Sequence, residues 1–172
     1  LGPDYFFGFG VVNHPPGFDT NSWIDTALKP AQDAFPAWVN AVKAAYDGEG
    51  VTYCAVGYCF GGPFVADLLT HDWLTAAAMA HPAWLEESHF RAFKKPVMIS
   101  CPEFDDTMPV AARHRAEEIL SEIKVKHYIQ LFSGTHHGFA VRAKPEIEND
   151  RWAKEECARA MKEWFLRFTQ TD

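Results

Sequence analysis

Positive charge is what the sequence has least of: sixteen Lys and Arg stand against twenty-three Asp and Glu, a formal net charge of −7. No block of Lys and Arg interrupts that balance, so the basic surface that would hold nucleic acid is excluded. Cysteine is also scarce. The four at 54, 59, 101 and 157 match neither a metal-ligand spacing nor a dense disulfide framework. A reducing, cytoplasmic compartment is therefore expected, with no metal and no cofactor. No apolar run approaches the roughly twenty residues of a membrane-spanning helix. With no signal-like start, neither a membrane span nor secretion is expected. Internal repeats, low-complexity tracts and interdomain linkers are missing too.

What is present is core-forming material. Of 172 residues, 48% are hydrophobic, with fourteen Phe and six Trp. A chain of that size buries roughly 70% of its extended surface and needs no staples to hold a core. One domain spanning residues 1–172 is expected.

Along the chain, Leu1 to Phe9 reads as the end of a strand running into the Gly/Pro-rich loop "VVNHPPGFDT". Pro30 to Tyr46 reads as a helix with Phe35, Trp38, Val39 and Val42 on one stripe, Pro36 marking a late start or a kink, and Asp47-Gly48 its end. From Val51 the pattern alternates. Strands are expected at Val51–Val56, Leu74–Ala80, Val97–Cys101 and Val125–Phe132. Helices are expected at Gly62–Leu69, Pro109–Ile123 and Asn149–Phe168, the last with an aromatic core stripe through Trp152, Cys157, Met161, Trp164, Phe165 and Phe168. Continuous apolar strands alternating with helices mean a mostly parallel, doubly wound α/β sheet with helices on both faces. Ligands bind such sheets beyond the carboxyl ends of the strands.

Three of those strand exits carry chemistry. The run "VTYCAVGYCFGGPFVAD" places Cys59 between glycines at a strand-to-helix hinge. The third exit reads Cys101-Pro102-Glu103-Phe104-Asp105-Asp106, and the last reads His136-His137-Gly138-Phe139. Nucleophile, acid and base thus follow in the chain order of an α/β-hydrolase, with Cys in place of Ser. In a nucleophile elbow the small residues two before and two after the nucleophile, here Gly57 and Gly61, let strand and helix approach. The thiol then sits at a helix amino end, where thiolate is favoured. The Phe60 N–H becomes an oxyanion donor, and Asp105 holds the imidazole of His137 in the productive tautomer. Glu103 and Asp106 compete with Asp105, and Asp106 also suits a helix cap. His81, before Pro82 at another strand end, is expected to shape the cleft or satisfy a backbone group, and is also a candidate to contact substrate. Arg142 is a candidate for a substrate anion. The adjacent His136 and His137 point apart, which argues against a metal pair.

These segments resemble the dienelactone hydrolase family, the Cys-using branch of the α/β-hydrolases. "VGYCFGGPFV" is similar to its elbow, "PEFDDTMP" to its acid loop and "GTHHGFAVR" to its histidine loop, while "GPDYFFG" resembles the segment ending its fourth strand. The resemblance implies hydrolysis of a lactone or small activated ester through an acyl-cysteine, with Cys59, Asp105 and His137 as the triad. It places the acid at Asp105, four residues before Pro109, and the base at His137, immediately before Gly138-Phe139. Arginines hold the carboxylate of the family's dienelactone substrates, and Arg142 lies near the matching place.

The resemblance also implies an N-terminally truncated fold without the family's first strands, without the loop supplying a second oxyanion N–H, and without the glutamate that partners the resting Cys. A longer native chain or a partner chain is expected to cover the exposed sheet edge. Two other functions compete with hydrolysis: a catalytically impaired relative that binds a ligand or partner chain, and an acyl transferase using the same three residues.

Overall fold

The computed structural model describes residues 1–8, 10 and 16–170. Two compact units emerge, Leu1–Val51 and Thr52–Asp172.

The first unit is built on one helix, α1, Thr20–Tyr46. It starts ten residues earlier than the sequence suggests, because Asp19 caps it by accepting from the Ser22 N–H at 3.0 Å. Pro30 and Pro36 both lie inside it, so neither proline sets its start. The helix ends at Asp47 as expected. Phe35 is buried, with Trp38 stacked beside it at 5.7 Å between ring centroids. The strand expected at Leu1–Phe9 is corrected over its described residues. Tyr5–Gly8 is a turn, because the Asp4 carboxylate accepts from the N–H groups of Phe6 and Gly8 at 3.1 and 2.7 Å and folds the backbone around itself. Of the Gly/Pro-rich loop expected at residues 11–20, residues 11–15 lie outside those described, and Thr20 already begins α1.

The second unit alternates strand and helix. Its order is β1 (Tyr53–Tyr58), a 3₁₀ turn (Cys59–Gly61), α2 (Gly62–Leu68), β2 (Leu74–Ala80), α3 (Glu87–Arg91), β3 (Val97–Phe104), α4 (Val110–Glu122), β4 (His127–His136), α5 (Phe139–Arg142) and α6 (Glu148–Thr169). The four strands pair in sequence order and every pairing is parallel. The short helices α3 and α5 were not expected. The last strand also runs four residues further than its apolar run, with Thr135 buried and its hydroxyl donating to the Phe132 carbonyl at 2.8 Å.

Register shows which helix covers which face. Gly57 pairs with Met79 and Met79 with Ile99, so these share a face; a Cβ on Gly57 would meet Val65 of α2. The alternate residues Ala76, Ala78, Ala80 and Met98 form one buried cluster with Ala153, Cys157, Ala160, Met161 and Trp164 of α6. Helices therefore cover both faces, and β2 between them is almost wholly apolar because it has no solvent side. Trp164 adds a hydrogen bond, its indole N–H donating to the Ala77 carbonyl at 3.0 Å. The expected aromatic stripe is narrower than its spacing suggests, since Trp152 is half exposed. Among the described residues, no helix is long and apolar enough to cross a membrane.

Candidate active site

All four strands end against one locus. Cys59 directly follows β1, His81 follows β2, Asp105 follows β3 and His137 follows β4, so parallel pairing alone brings together residues far apart in sequence.

The elbow is a forced conformation. Cys59 has φ +46°, a left-handed geometry that costs an L-residue about 1–2 kcal/mol. It is held there because the Cys59 carbonyl accepts from Gly62 N–H and from Ala83 N–H at 3.2 Å. The close approach falls at Gly57, as expected, but its second glycine is Gly62 in place of Gly61. A Cβ on Gly57 would lie 2.7 Å from the Gly61 carbonyl oxygen and 2.7 Å from a Val65 methyl. At Gly62 it would lie 3.1 Å from the Ala83 carbonyl oxygen, whereas at Gly61 it would meet nothing within 4 Å. The requirement for glycine thus rests on Gly57 and Gly62. Phe60 is buried at the head of the turn, its ring meeting those of Phe64 and Trp84.

Polar contacts run unbroken from sulfur to carboxylate. Cys59 Sγ lies 3.0 Å from His137 Nε2, and His137 Nδ1 lies 2.9 Å from Asp105 Oδ2 and 3.0 Å from Oδ1. The Asp105 side chain is 2% exposed and that of His137 21%. Burial opposes charge on His137, but its hydrogen bonds to Asp105 and Cys59 outweigh that and carry its pKa up to about 9. Burial likewise works against the Asp105 carboxylate, yet hydrogen bonds from His137 and Thr107 hold it below the ordinary value.

The competitors of Asp105 point elsewhere. Glu103 Oε2 accepts from the Gly134 N–H at 2.6 Å and ties β3 to β4. Asp106 is exposed and does not cap α4, whose N-cap is Pro109. His136 stacks on Phe104 at 5.0 Å. Arg142, on α5, is exposed, donates to the His137 carbonyl at 3.3 Å and lies across Gly138, whose φ of +92° brings the histidine loop under the guanidinium.

His81 is 1% exposed, and its ring meets that of His137 edge-on at 5.0 Å and Phe139 at 5.6 Å. Among the described residues neither ring nitrogen has a hydrogen-bond partner, and its φ is +38°. Burial first, then His137, pushes its pKa down to about 4, so it stands neutral at neutral pH. Sequence reasoning passed over Thr107, whose hydroxyl lies 2.7 Å from Asp105 Oδ1 and 3.2 Å from His137 Nδ1. The Asp-x-Thr spacing, which suits a local side-chain turn, was the available signal. Among the described residues, no group of three or more His, Cys, Asp or Glu is arranged to hold a metal.

Comparison with known proteins agrees with this architecture. Residues 18–169 match the dienelactone hydrolase family. Two curated relatives from Gibberella moniliformis, named dienlactone hydrolase 1 and 2, are 35% and 34% identical over 95% and 96% of this chain. The chain spans 66% and 64% of their length, just under two thirds. Among solved structures, a dienelactone hydrolase-like promiscuous phosphotriesterase from metagenomic libraries superposes with a TM-score of 0.68 at 20% identity, covering 88% of this chain and 69% of its own. A Klebsiella pneumoniae crystal structure gives 0.65 at 15% identity, covering 88% of this chain and 67% of its own. At those identities the likeness is one of fold, the α/β-hydrolase sheet. The chain belongs to the dienelactone hydrolase family.

Proposed function

We propose that this member of the dienelactone hydrolase family hydrolyses a lactone or small activated ester through an acyl-cysteine intermediate. Cys59 is the nucleophile, His137 the general base and then acid, and Asp105 the group that fixes the imidazole. The observation that carries the reading is the relay from Sγ through Nε2 and Nδ1 to a buried carboxylate, at 3.0 and 2.9 Å.

The chemistry follows from those distances. The Cys59 proton passes to His137 Nε2, and the sulfur attacks the carbonyl carbon of the ester. Negative charge develops on the carbonyl oxygen, towards which the backbone N–H of Phe60 at the elbow serves as a donor. As the intermediate collapses, the C–O bond to the alkoxide breaks and Nε2–H supplies its proton. In a lactone the alkoxide stays tethered to the acyl group. Water, deprotonated by His137, then attacks the thioester; the C–S bond breaks, releasing the carboxylic acid and restoring the thiol. The ion pair of Asp105 with protonated His137 supports both transfers.

The test combines labelling with turnover. Limiting iodoacetamide is applied between about pH 5 and about pH 9, where a free thiol of pKa about 8.5 would titrate, and modified peptides are mapped. Cys59 should react first. Burial raises Cys101 to about 12 and also raises Cys157 and Cys54. Labelled protein, Cys59→Ala and His137→Ala should each lose hydrolysis of p-nitrophenyl acetate and of a five-membered enol lactone. Equal labelling of Cys59 and Cys54, or hydrolysis that survives Cys59→Ala, would overturn the proposal.

A further inference from the structure

The acid side of the relay holds one more group than a three-residue unit needs. Asp105 Oδ1 accepts from the Thr107 hydroxyl at 2.7 Å, from the Thr107 N–H at 2.9 Å and from the Met108 N–H at 3.3 Å. His137 Nδ1 lies 2.9 Å from the other oxygen, Oδ2, and 3.0 Å from Oδ1, which the three Thr107 and Met108 donors also share. The Thr107 oxygen lies 3.2 Å from the same Nδ1 and 3.4 Å from the Pro82 carbonyl oxygen. A hydroxyl has one proton and two lone pairs. With Asp105 ionised, the proton goes to the near, charged Oδ1 rather than to the distant neutral carbonyl. The remaining lone pairs leave Thr107 Oγ1 an acceptor within reach of Nδ1–H.

We propose that Thr107 is a positioning residue that offers His137 Nδ1–H a second acceptor beside Asp105, so that the tautomer of His137 is held by two groups. The proposal rests on the reading of Cys59, His137 and Asp105 as a catalytic unit. If the carboxylate is removed, the hydroxyl proton has an alternative acceptor in the Pro82 carbonyl, and the oxygen continues to face Nδ1–H. The Pro82 contact thus gives the hydroxyl two usable orientations, both of which present a lone pair to the imidazole.

The consequence is non-additivity, which residues sharing one hydrogen-bond network display. In the native background, Thr107→Val keeps the shape, loses the hydroxyl and should lower kcat/KM for p-nitrophenyl acetate about three- to ten-fold, the effect of one neutral hydrogen bond. In an Asp105→Ala background the same change removes the remaining acceptor and should cost at least about ten-fold more, since loss of the correct tautomer alone is worth roughly 10⁴ in related triads. Thr107→Ser should restore the loss in both backgrounds.

A readout independent of turnover separates this proposal from the reading beneath it. With ¹⁵N-labelled histidine, at a pH above the His137 value of about 9 where the imidazole is neutral, the nitrogen shifts of His137 report which ring nitrogen carries the proton. The Nδ1–H form should persist in Asp105→Ala and be lost in Asp105→Ala/Thr107→Val. Should Asp105→Ala fail to fold, Thr107→Val alone should speed solvent exchange of the His137 Nδ1 proton, and Thr107→Ser should leave it slow. An equal Thr107→Val effect in both backgrounds, no rescue by serine, or an unchanged Nδ1–H signal in the double variant would overturn the role of Thr107. Absence of hydrolysis in the native chain, with the tautomer still dependent on Thr107, would overturn the hydrolase reading and leave the positioning role standing.

Discussion

Replacing His81 by Phe should make the chain resist acid better than the native protein does. His81 is 1% exposed and, among the described residues, has no partner on either nitrogen, so the folded state admits its charged form only at a large cost. Its pKa lies at about 4 when folded against 6.5 for an unperturbed imidazole. Burial is the first cause, His137 and then Arg142 push the same way, and the residue's own backbone and Asp105 oppose them.

The sign follows from proton counting. Between pH 6.5 and about 4 the unfolded chain holds a proton on this residue and the folded chain does not, so stability falls as pH falls across that window. The gap corresponds to about 3 kcal/mol in total, at roughly 1.4 kcal/mol per pH unit. His137 acts elsewhere: its folded pKa is raised to about 9, so its contribution is fully present below the unfolded value and lost as pH rises through about 9. Asp105, held below its ordinary value, loses its contribution only as pH falls through that lower value. Both are shared by the native protein and the variant and drop out of the difference.

Urea unfolding followed by Trp fluorescence, at several pH values between about 7 and about 4.5, measures that difference. Native stability relative to His81→Phe should fall by roughly 1 kcal/mol or more per pH unit below 6.5, the unperturbed value. Any packing cost of the larger ring shifts the curves by a constant and leaves their slopes alone. Parallel stability curves would refute the reasoning.

Two further outcomes concern the scaffold. Gly57→Ala drives a methyl to within 2.7 Å of the Gly61 carbonyl oxygen and of Val65; it should cost about 1–3 kcal/mol in thermal or urea unfolding and slow Cys59 labelling, whereas Gly61→Ala, with open space around its Cβ, should do neither through overpacking. Trp164→Phe leaves the Ala77 carbonyl without its indole donor and should cost about 1–3 kcal/mol in urea unfolding, with Cys59 labelling in the folded protein unchanged.

The sheet was legible wherever burial on both faces makes a strand read as an unbroken apolar run. Leu74–Ala80 is β2 to the residue. The edge strands were read less well, because solvent on one side dilutes the run; β4 continues to His136 through Ser133, Gly134 and Thr135. The amino-terminal reading failed where a side chain overrode the pattern: the Asp4 carboxylate organises a turn, and the Asp19 cap starts α1 well before Pro30. At the candidate site, chain order and strand ends located Cys59, Asp105 and His137. Thr107 had only its Asp-x-Thr spacing as a signal, and the isolation of the His81 ring was not legible, since it depends on which groups converge from different strands. The misplaced glycine requirement has the same origin: what crowds Gly57 and Gly62 is the backbone at Gly61 and the loop at Pro82 and Ala83.

The relay joins residues 78 and 32 positions apart in the chain, and each stands at the end of a separate parallel strand. Local structure alone cannot bring them together; β1 must pair with β2, β2 with β3, and β3 with β4. Such long-range pairings are slow to form, because loop closure costs entropy before the contacts repay it. If Cys59 is the nucleophile we propose, its reactivity becomes a built-in chemical reporter of sheet assembly. Pulsed alkylation during refolding would time the closing of the last strand pair, with no added dye and no introduced label.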